Sequence, residues 1–238
     1  MLAAAFETST RTPSVALRVG DRSLQCRLSG ERPHASDLLP ALDGLLREAG
    51  VRAADLELLV VGTGPGSFTG LRVAAATALG LARGGRARLL GLSSGESLCW
   101  RELAVGEEAA VVLDARSGEW YYSRYRRTAD DVVELHAPCV ATQAQWVQWV
   151  ANAEHESRTG AAAGVAPLRL FGEPLLSTQG ALDAELRGRI EVDRVPEASA
   201  ALELGLARLE RGAARTTREL EPLYLRAFAA KKSQRMGS

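Results

Sequence analysis

The chain has 238 residues, of which 46% are hydrophobic and 24% charged, and its 29 Lys and Arg residues balance 29 Asp and Glu residues. This length suits one large domain or two smaller lobes, and the absence of net charge excludes a general electrostatic attraction to nucleic acid or membranes. No apolar run approaches the ~20 residues that span a bilayer. The three cysteines lie too far apart for a metal or redox motif, so we expect a cytoplasmic protein with reduced thiols and no membrane contact.

The first 106 residues predict an α/β lobe. Short apolar runs at 2–6, 14–19 and 23–28 are separated by turn signals, which favours three antiparallel strands. Helices and strands alternate after them: a helix over 37–49, a strand over 56–61, a helix over 67–83, a strand over 88–92 and a helix from residue 93. Three antiparallel strands extended by parallel crossover strands form the layout of a ribonuclease-H-like lobe.

A second unit begins near residue 107 and repeats this opening pattern. An apolar strand at 109–115 carries an acid near its end, and two hairpin strands follow at 119–127 and 131–135. The later segments predict three more elements: a helix near 142–151, a strand over 168–172 and a helix over 197–212. The predicted division of the chain is a lobe at 1–106, a smaller lobe at 107–225 and a basic tail at 226–238. We expect this tail to be poorly ordered.

The glycine-rich stretch VVGTGPGSFTGLR at 60–72 has the shape of a phosphate-binding loop but lacks its chemistry. A Walker A loop needs a lysine, which is absent here, and Thr69 stands where the dinucleotide fingerprint needs its third glycine. What remains is a strand, a turn at Gly64 and Gly66, and a helix capped by Ser67 or Thr69. The helix N-terminus favours an anion, whereas the glycines by themselves indicate only a turn and close packing. The sequence leaves both interpretations open.

Two helices of the first lobe carry wide stripes of apolar or small residues. Ser36 or Asp37 is expected to cap the helix at 37–49, with Pro40 in its first turn and Gly50 at its end. The residues of interest are Leu38, Leu42, Leu45 and Leu46 on this helix, and Gly70, Arg72, Ala74 and Ala78 on the helix at 67–83. Small residues at this spacing let another helix approach closely. That helix could belong to the same lobe or to another chain.

Two acids, Glu7 and Asp114, each lie at the end of an apolar strand, one in each lobe. Carboxylates suit Mg²⁺ with its waters, but acids at strand ends also start turns by accepting backbone hydrogen bonds, and we favour this structural role. No His or Cys pair has metal-ligand spacing, and no G-x-S-x-G elbow is present. We therefore predict neither a catalytic residue nor a metal site in this chain.

Six stretches taken together resemble one family. They are, in chain order, ETSTRTPSVAL, LLPALDGLLREAG, VVGTGPGSFTGLRVAAATALGLA, GLSSGESL, DARSGEWYYSRY and EPLYLR. They are similar to the bacterial TsaB (YeaZ) family over residues 2–126 and again at 220–226, and the match is poor from about 140 to 215. The combination of GPGSFTGLR with a later DAR-x-GE is highly specific.

The resemblance implies two ribonuclease-H-like lobes of the actin-like ATPase superfamily, the second one reduced. It implies a non-catalytic scaffold subunit required for threonylcarbamoylation of the adenosine adjacent to the tRNA anticodon. The implied partners are a catalytic TsaD-like subunit bound through the two striped helices, a TsaE-like ATPase, a second copy of the isolated chain, and tRNA indirectly through the complex. No cofactor is expected in this subunit, and ATP and metal are expected in the partner subunits.

Two departures from the family pattern concern the expected nucleotide cleft. Members usually have Asp at the position of Glu7 and Arg at the position of Thr63. The resemblance still allows a residual or shared nucleotide cleft, formed by Glu7, Gly64, Gly66, Ser67 and Thr69. An autonomous ATPase of the same fold and a glycoprotease-like peptidase are the alternatives. The short second lobe argues against the first, and the missing histidine pair argues against the second.

Overall fold

The computed structural model describes residues 1–29, 34–115, 118–159, 167–172, 187–214, 216–217 and 219–220. Two five-stranded sheets form its framework. The strands of the first sheet are β1 (Leu2–Glu7), β2 (Ser14–Val19), β3 (Arg22–Arg27), β4 (Leu58–Gly62) and β5 (Arg88–Leu92). Their order is β3-β2-β1-β4-β5, with β1 antiparallel to β2 and parallel to β4. The predicted meander with parallel crossover strands is confirmed.

The second sheet repeats this topology with shorter parallel strands. Its strands are β6 (Glu108–Asp114), β7 (Glu119–Arg127), β8 (Val132–Thr142), β9 (Arg169–Phe171) and β10 (Ile190–Glu191). The order β8-β7-β6-β9-β10 matches β3-β2-β1-β4-β5 strand for strand, with β6 antiparallel to β7 and parallel to β9. The predicted pair of related ribonuclease-H-like lobes with a reduced second lobe is therefore confirmed in the described residues.

Among the described residues, five α-helices cover these sheets. They are α1 (His34–Ala49), α2 (Phe68–Gly84), α3 (Ser94–Glu102), α4 (Gln143–Thr159) and α5 (Ala198–Glu210), and a short 3₁₀ helix at Ala53–Asp55 precedes β4. Helices α1 and α2 pack together on one face of the first sheet. Helix α3 lies between α5 and the β7–β8 hairpin, and α4 packs on the second sheet. In the described part of the chain no helix combines the length and apolar character that crossing a membrane requires.

Three element boundaries differ from the prediction by more than two residues. Helix α1 begins at His34, so the expected cap at Ser36 or Asp37 is wrong, and Pro40 lies beyond the first turn. Strand β8 continues to Thr142 instead of ending near residue 135, because β8 is an edge strand and an edge strand tolerates a proline such as Pro138. Helix α4 extends past residue 151.

Helix α5 packs on the first sheet, although the sequence grouped it with the second lobe. Its buried residues Ala201 and Leu204 belong to one apolar cluster with Ala3 of β1 and Val60 of β4. Because α1 and α2 cover the opposite face, β1 and β4 are buried on both sides and read as continuous apolar runs. The division at residues 106 and 107 stays a prediction, and the tail at 226–238 lies outside the described residues.

Candidate functional site

The glycine loop joins the carboxyl end of β4 to the N-terminus of α2, beside the carboxyl end of β1. Of the two candidate caps, Ser67 is the one observed, since its hydroxyl accepts a hydrogen bond from the Gly70 amide at 3.3 Å. The Ser67 amide donates to the Ser9 carbonyl at 2.7 Å, and the Ser94 amide donates to the Gly64 carbonyl at 2.9 Å. Backbone hydrogen bonds therefore fix the loop to both the end of β1 and the start of α3.

Two glycines allow the loop to lie directly against the end of β1. A Cβ atom on Gly66 would lie 2.3 Å from the Ser9 carbonyl oxygen, and one on Gly70 would lie 2.1 Å from the Thr8 carbonyl oxygen. Gly66 also has a φ of +156°, which side chains rarely adopt. These contacts support the packing interpretation of the loop.

Glu7 lies under this loop and is almost completely buried, with 1% of its surface exposed. Its Oε1 atom accepts a hydrogen bond from the Ser9 amide at 2.8 Å, while Oε2 has no hydrogen-bond partner among the described residues. Burial raises the pKa of this carboxyl group above its ordinary value, because desolvation disfavours the charged form. The hydroxyls of Ser9 and Ser94 oppose this rise, although neither makes a well-aligned hydrogen bond.

A magnesium nucleotide, as the fold family implies, does not fit this arrangement. Gly64, Pro65 and Gly66 are buried, and so are Glu7 and Ser94. The acid and the two glycines expected to hold such a ligand are therefore closed off from solvent. The described residues also contain no group of three or more His, Cys, Asp or Glu side chains that could hold a metal ion.

Of the residues predicted for a nucleotide cleft, Glu7, Gly64 and Gly66 form a closed, packed junction, and Ser67 is half-buried at its edge. Ser67 uses its hydroxyl as a helix cap, and Thr69 is exposed on the first turn of α2. Thr63, a departure from the family pattern, donates through its hydroxyl to the Leu92 carbonyl at 3.0 Å. Asp114, the counterpart of Glu7, is exposed at the end of β6 in the other sheet.

The two sheets are joined by contacts that sequence reasoning missed. The Tyr125 ring fills the space beside Gly95 of α3, where a Cβ atom would lie 2.5 Å from the ring, and its hydroxyl is 3.0 Å from that of Ser93. Arg208 of α5 donates to Glu96 of α3 at 2.7 Å and to Asp131 at 2.8 Å. The capping pattern at the start of α3 could have drawn attention to Glu96 in the sequence. Nothing in the sequence indicates that Arg208 is its partner.

The structure corrects which residues of α1 and α2 can form the partner interface that was predicted from the helical stripes. Seven of its eight members are buried inside this chain: Leu38, Leu42, Leu45, Leu46, Gly70, Ala74 and Ala78. The six Leu and Ala residues among them belong to one core cluster with β1, β2 and β4, because the stripes of α1 and α2 face each other and the sheet. The eighth member, Arg72, is exposed, with its guanidinium 3.9 Å above the Phe68 ring.

The outer surface of α1 and α2 is formed by other residues. Leu39 is 48% exposed on α1, and Ala76 and Gly80 are exposed on α2. Gly44 of α1 and Gly80 of α2 have no atom within 4 Å of the position that a Cβ atom would take. Glycine inside a helix costs ~1 kcal/mol relative to alanine, so two such glycines on open helix surface are unexplained by packing within this chain.

Comparison with known proteins finds similarity to proteins that are named for tRNA modification. Residues 29–177 match the model of the family described as "TsaD: tRNA N6-adenosine threonylcarbamoyltransferase". The chain is 34% identical over 125 residues to the tRNA threonylcarbamoyladenosine biosynthesis protein TsaB of Haemophilus influenzae, covering 52% of this chain and 53% of that protein. It is 33% identical over 132 residues to the protein of the same name from Escherichia coli, covering 54% and 56%. The chain thus matches only about half the length of these relatives.

Solved structures resemble the chain over nearly its whole length. YeaZ from Pseudomonas aeruginosa is 26% identical, with a TM-score of 0.72 over 94% of this chain and 99% of that one. A crystal structure described as an uncharacterized protein with similarity to peptidase YEAZ from Pseudomonas aeruginosa is 27% identical, with a TM-score of 0.75 over the same shares. The resemblance inferred from the sequence motifs is confirmed by these similarities. The chain belongs to the TsaD family as its family model defines it, and within that family it resembles the TsaB (YeaZ) proteins.

Proposed function

We propose that the chain is a non-catalytic subunit of the cytoplasmic machinery that forms threonylcarbamoyladenosine next to the tRNA anticodon. Its main partner is a catalytic TsaD-like subunit, and a TsaE-like ATPase joins the pair. The names of the relatives from Haemophilus influenzae and Escherichia coli support the pathway. The closed junction at Glu7 is the single structural observation that supports the non-catalytic role.

The chemistry of the junction supports a scaffold because nothing in it is positioned to react. The carboxyl group of Glu7 and the hydroxyl of Ser94 are buried, and the hydroxyl of Ser67 caps α2. Hydrolysis of a peptide or of ATP needs a nucleophile or water within reach of a base, and a place for the substrate. ATP and metal therefore belong to the partner subunits in this proposal, and tRNA is reached through the complex. The ATPase and peptidase alternatives find no support in this geometry.

The open face of α1 and α2 is the surface that we propose for the partner. It carries the exposed Leu39, and the open positions at Gly44 and Gly80 would let a partner helix approach the two backbones closely. A second copy of the chain would use the same face in the isolated protein, so homodimer and heterodimer would exclude each other. The buried stripes stabilise the lobe that presents this face.

An arginine at Ala76 tests this surface without disturbing the core, because Ala76 is exposed on α2. Ala151, which is exposed on α4 of the second sheet, offers a matched control. We expect both variants to fold with unchanged circular dichroism. Ala76→Arg should lose binding to the TsaD-like subunit and dimerisation on a sizing column, whereas Ala151→Arg should keep both. Normal binding by a folded Ala76→Arg variant would place the interface elsewhere.

A further inference from the structure

Glu7 is a buried acid that the proposed scaffold role does not use. Its carboxyl group occupies the space beside Gly62 of β4, where a Cβ atom would lie only 2.1 Å from Oε2. One oxygen accepts the Ser9 amide, and the other has no hydrogen-bond partner in the described part of the chain. An ionised carboxylate in such a place would lose most of its hydration, and the hydrogen bond from the Ser9 amide would compensate for only part of that loss.

The groups that face Glu7 are uncharged. They are the backbone of Thr8 and Gly62 and the hydroxyls of Ser9 and Ser94. On its other neighbour, β2, the residue paired with Glu7 is Ser14, whose hydroxyl accepts from the Ala198 amide.

The charged side chains of the surrounding elements have other partners. Glu96 of α3 accepts from the Ser93 amide and from Arg208, and Arg72 of α2 lies over the Phe68 ring. Glu197, which precedes α5, is paired with two arginines, Arg27 and Arg101. Each of these charged side chains therefore interacts with groups other than the carboxyl group of Glu7.

We infer that the side chain of Glu7 is a neutral carboxylic acid in the folded protein at pH 7. Its proton keeps the ends of β1 and β4 and the start of α3 packed together. If Glu7 ionised, water would have to enter between these elements to hydrate the charge. The glycine loop would loosen with them, because it is bonded to Ser9 on one side and to Ser94 on the other. The inference does not depend on the proposed function.

The sign of the resulting pH dependence follows from which state binds the proton. The unfolded chain releases it near the ordinary value of 4.5, and burial raises the pKa in the folded chain. Between these two values the folded state holds one proton more than the unfolded state, so the contribution of Glu7 to stability falls as the pH rises. Glu7→Gln, which has the same shape and no proton to lose, removes this dependence.

Two measurements on the full chain test the inference. In the first, carbon-13 NMR of the wild type labelled at glutamate carboxyls should show one carboxyl, absent in Glu7→Gln, that is still protonated at pH 7. In the second, the unfolding equilibrium constants of wild type and Glu7→Gln are compared from pH 5 to 8. Their ratio should change by about tenfold per pH unit in favour of the variant while Glu7 stays protonated in the folded state. Asp114→Asn, at the matching strand end of the other sheet, corrects for the loss of one carboxyl group.

A spectrum in which every glutamate carboxyl is ionised at pH 7 would overturn the inference, and so would a pH-independent ratio between wild type and Glu7→Gln. The NMR titration uses the wild type, so it decides the question even if Glu7→Gln fails to fold.

Discussion

The same substitution at two glycines of α2 should have opposite effects on stability. Gly80 lies in the interior of the helix and has open space around it, so Gly80→Ala gains helix propensity at no steric cost. The expected gain in the free energy of unfolding is ~1 kcal/mol. For a chain of this size, such a gain raises Tm by about 2–4 °C.

Gly70→Ala should instead destabilise the chain. Its Cβ atom would lie 2.1 Å from the Thr8 carbonyl oxygen, well inside the 3.4 Å at which ordinary contact begins. Overpacking of this kind costs ~1–3 kcal/mol. We expect the upper end, because the opposing atom belongs to the backbone of β1 and cannot rotate away.

Urea denaturation of both variants, followed by circular dichroism, measures the difference. The slope of the free energy against urea should stay unchanged, so that the midpoints report stability alone. The samples should be monomeric by sizing column, because Gly80 lies on the proposed dimer surface. If Gly70→Ala left the stability unchanged, this would refute the close contact between α2 and β1. If monomeric Gly80→Ala were less stable than the wild type, this would refute the open space around Gly80.

The remaining predictions concern the loop and a buried ion pair. Gly66→Val places a branched side chain at a φ of +156° and against the Ser9 carbonyl, so it should yield insoluble protein or lose partner binding. A soluble variant with normal binding would require another role for the loop. Arg124→Met should cost ~3–5 kcal/mol in urea denaturation, since it leaves the buried Glu108 carboxylate without its buried partner. Arg126→Met, which removes the half-exposed partner, should cost ~1 kcal/mol, and equal losses would contradict this account.

The sequence predicted most of the first lobe because its local signals agree with its packing. Strand β4 is a continuous apolar run, and Ser67 stands directly before the small-residue helix that it caps. The second lobe was harder to predict at its edges. Strand β10 has only two residues, and β8 passes through Pro138, which a sequence pattern treats as a break.

The site was less predictable, because helical periodicity shows which residues share a face but not what covers that face. Leu38 and Ala74 were assigned to a partner surface, and they instead pack on the sheet of their own lobe. Likewise, the position of Glu7 at a strand end gave no indication that its carboxyl group turns inward against Gly62. Contacts of this kind depend on residues far apart in the chain, which a single sequence does not connect.

The central claim is that the chain supports the formation of threonylcarbamoyladenosine without performing chemistry itself. The most direct test is to quantify this nucleoside by mass spectrometry in tRNA from the native cell after the chain is depleted. We expect the modification to disappear on depletion, to return with wild type or Ala151→Arg, and to remain absent with folded Ala76→Arg. Unchanged modification in cells that lack the chain would contradict the account.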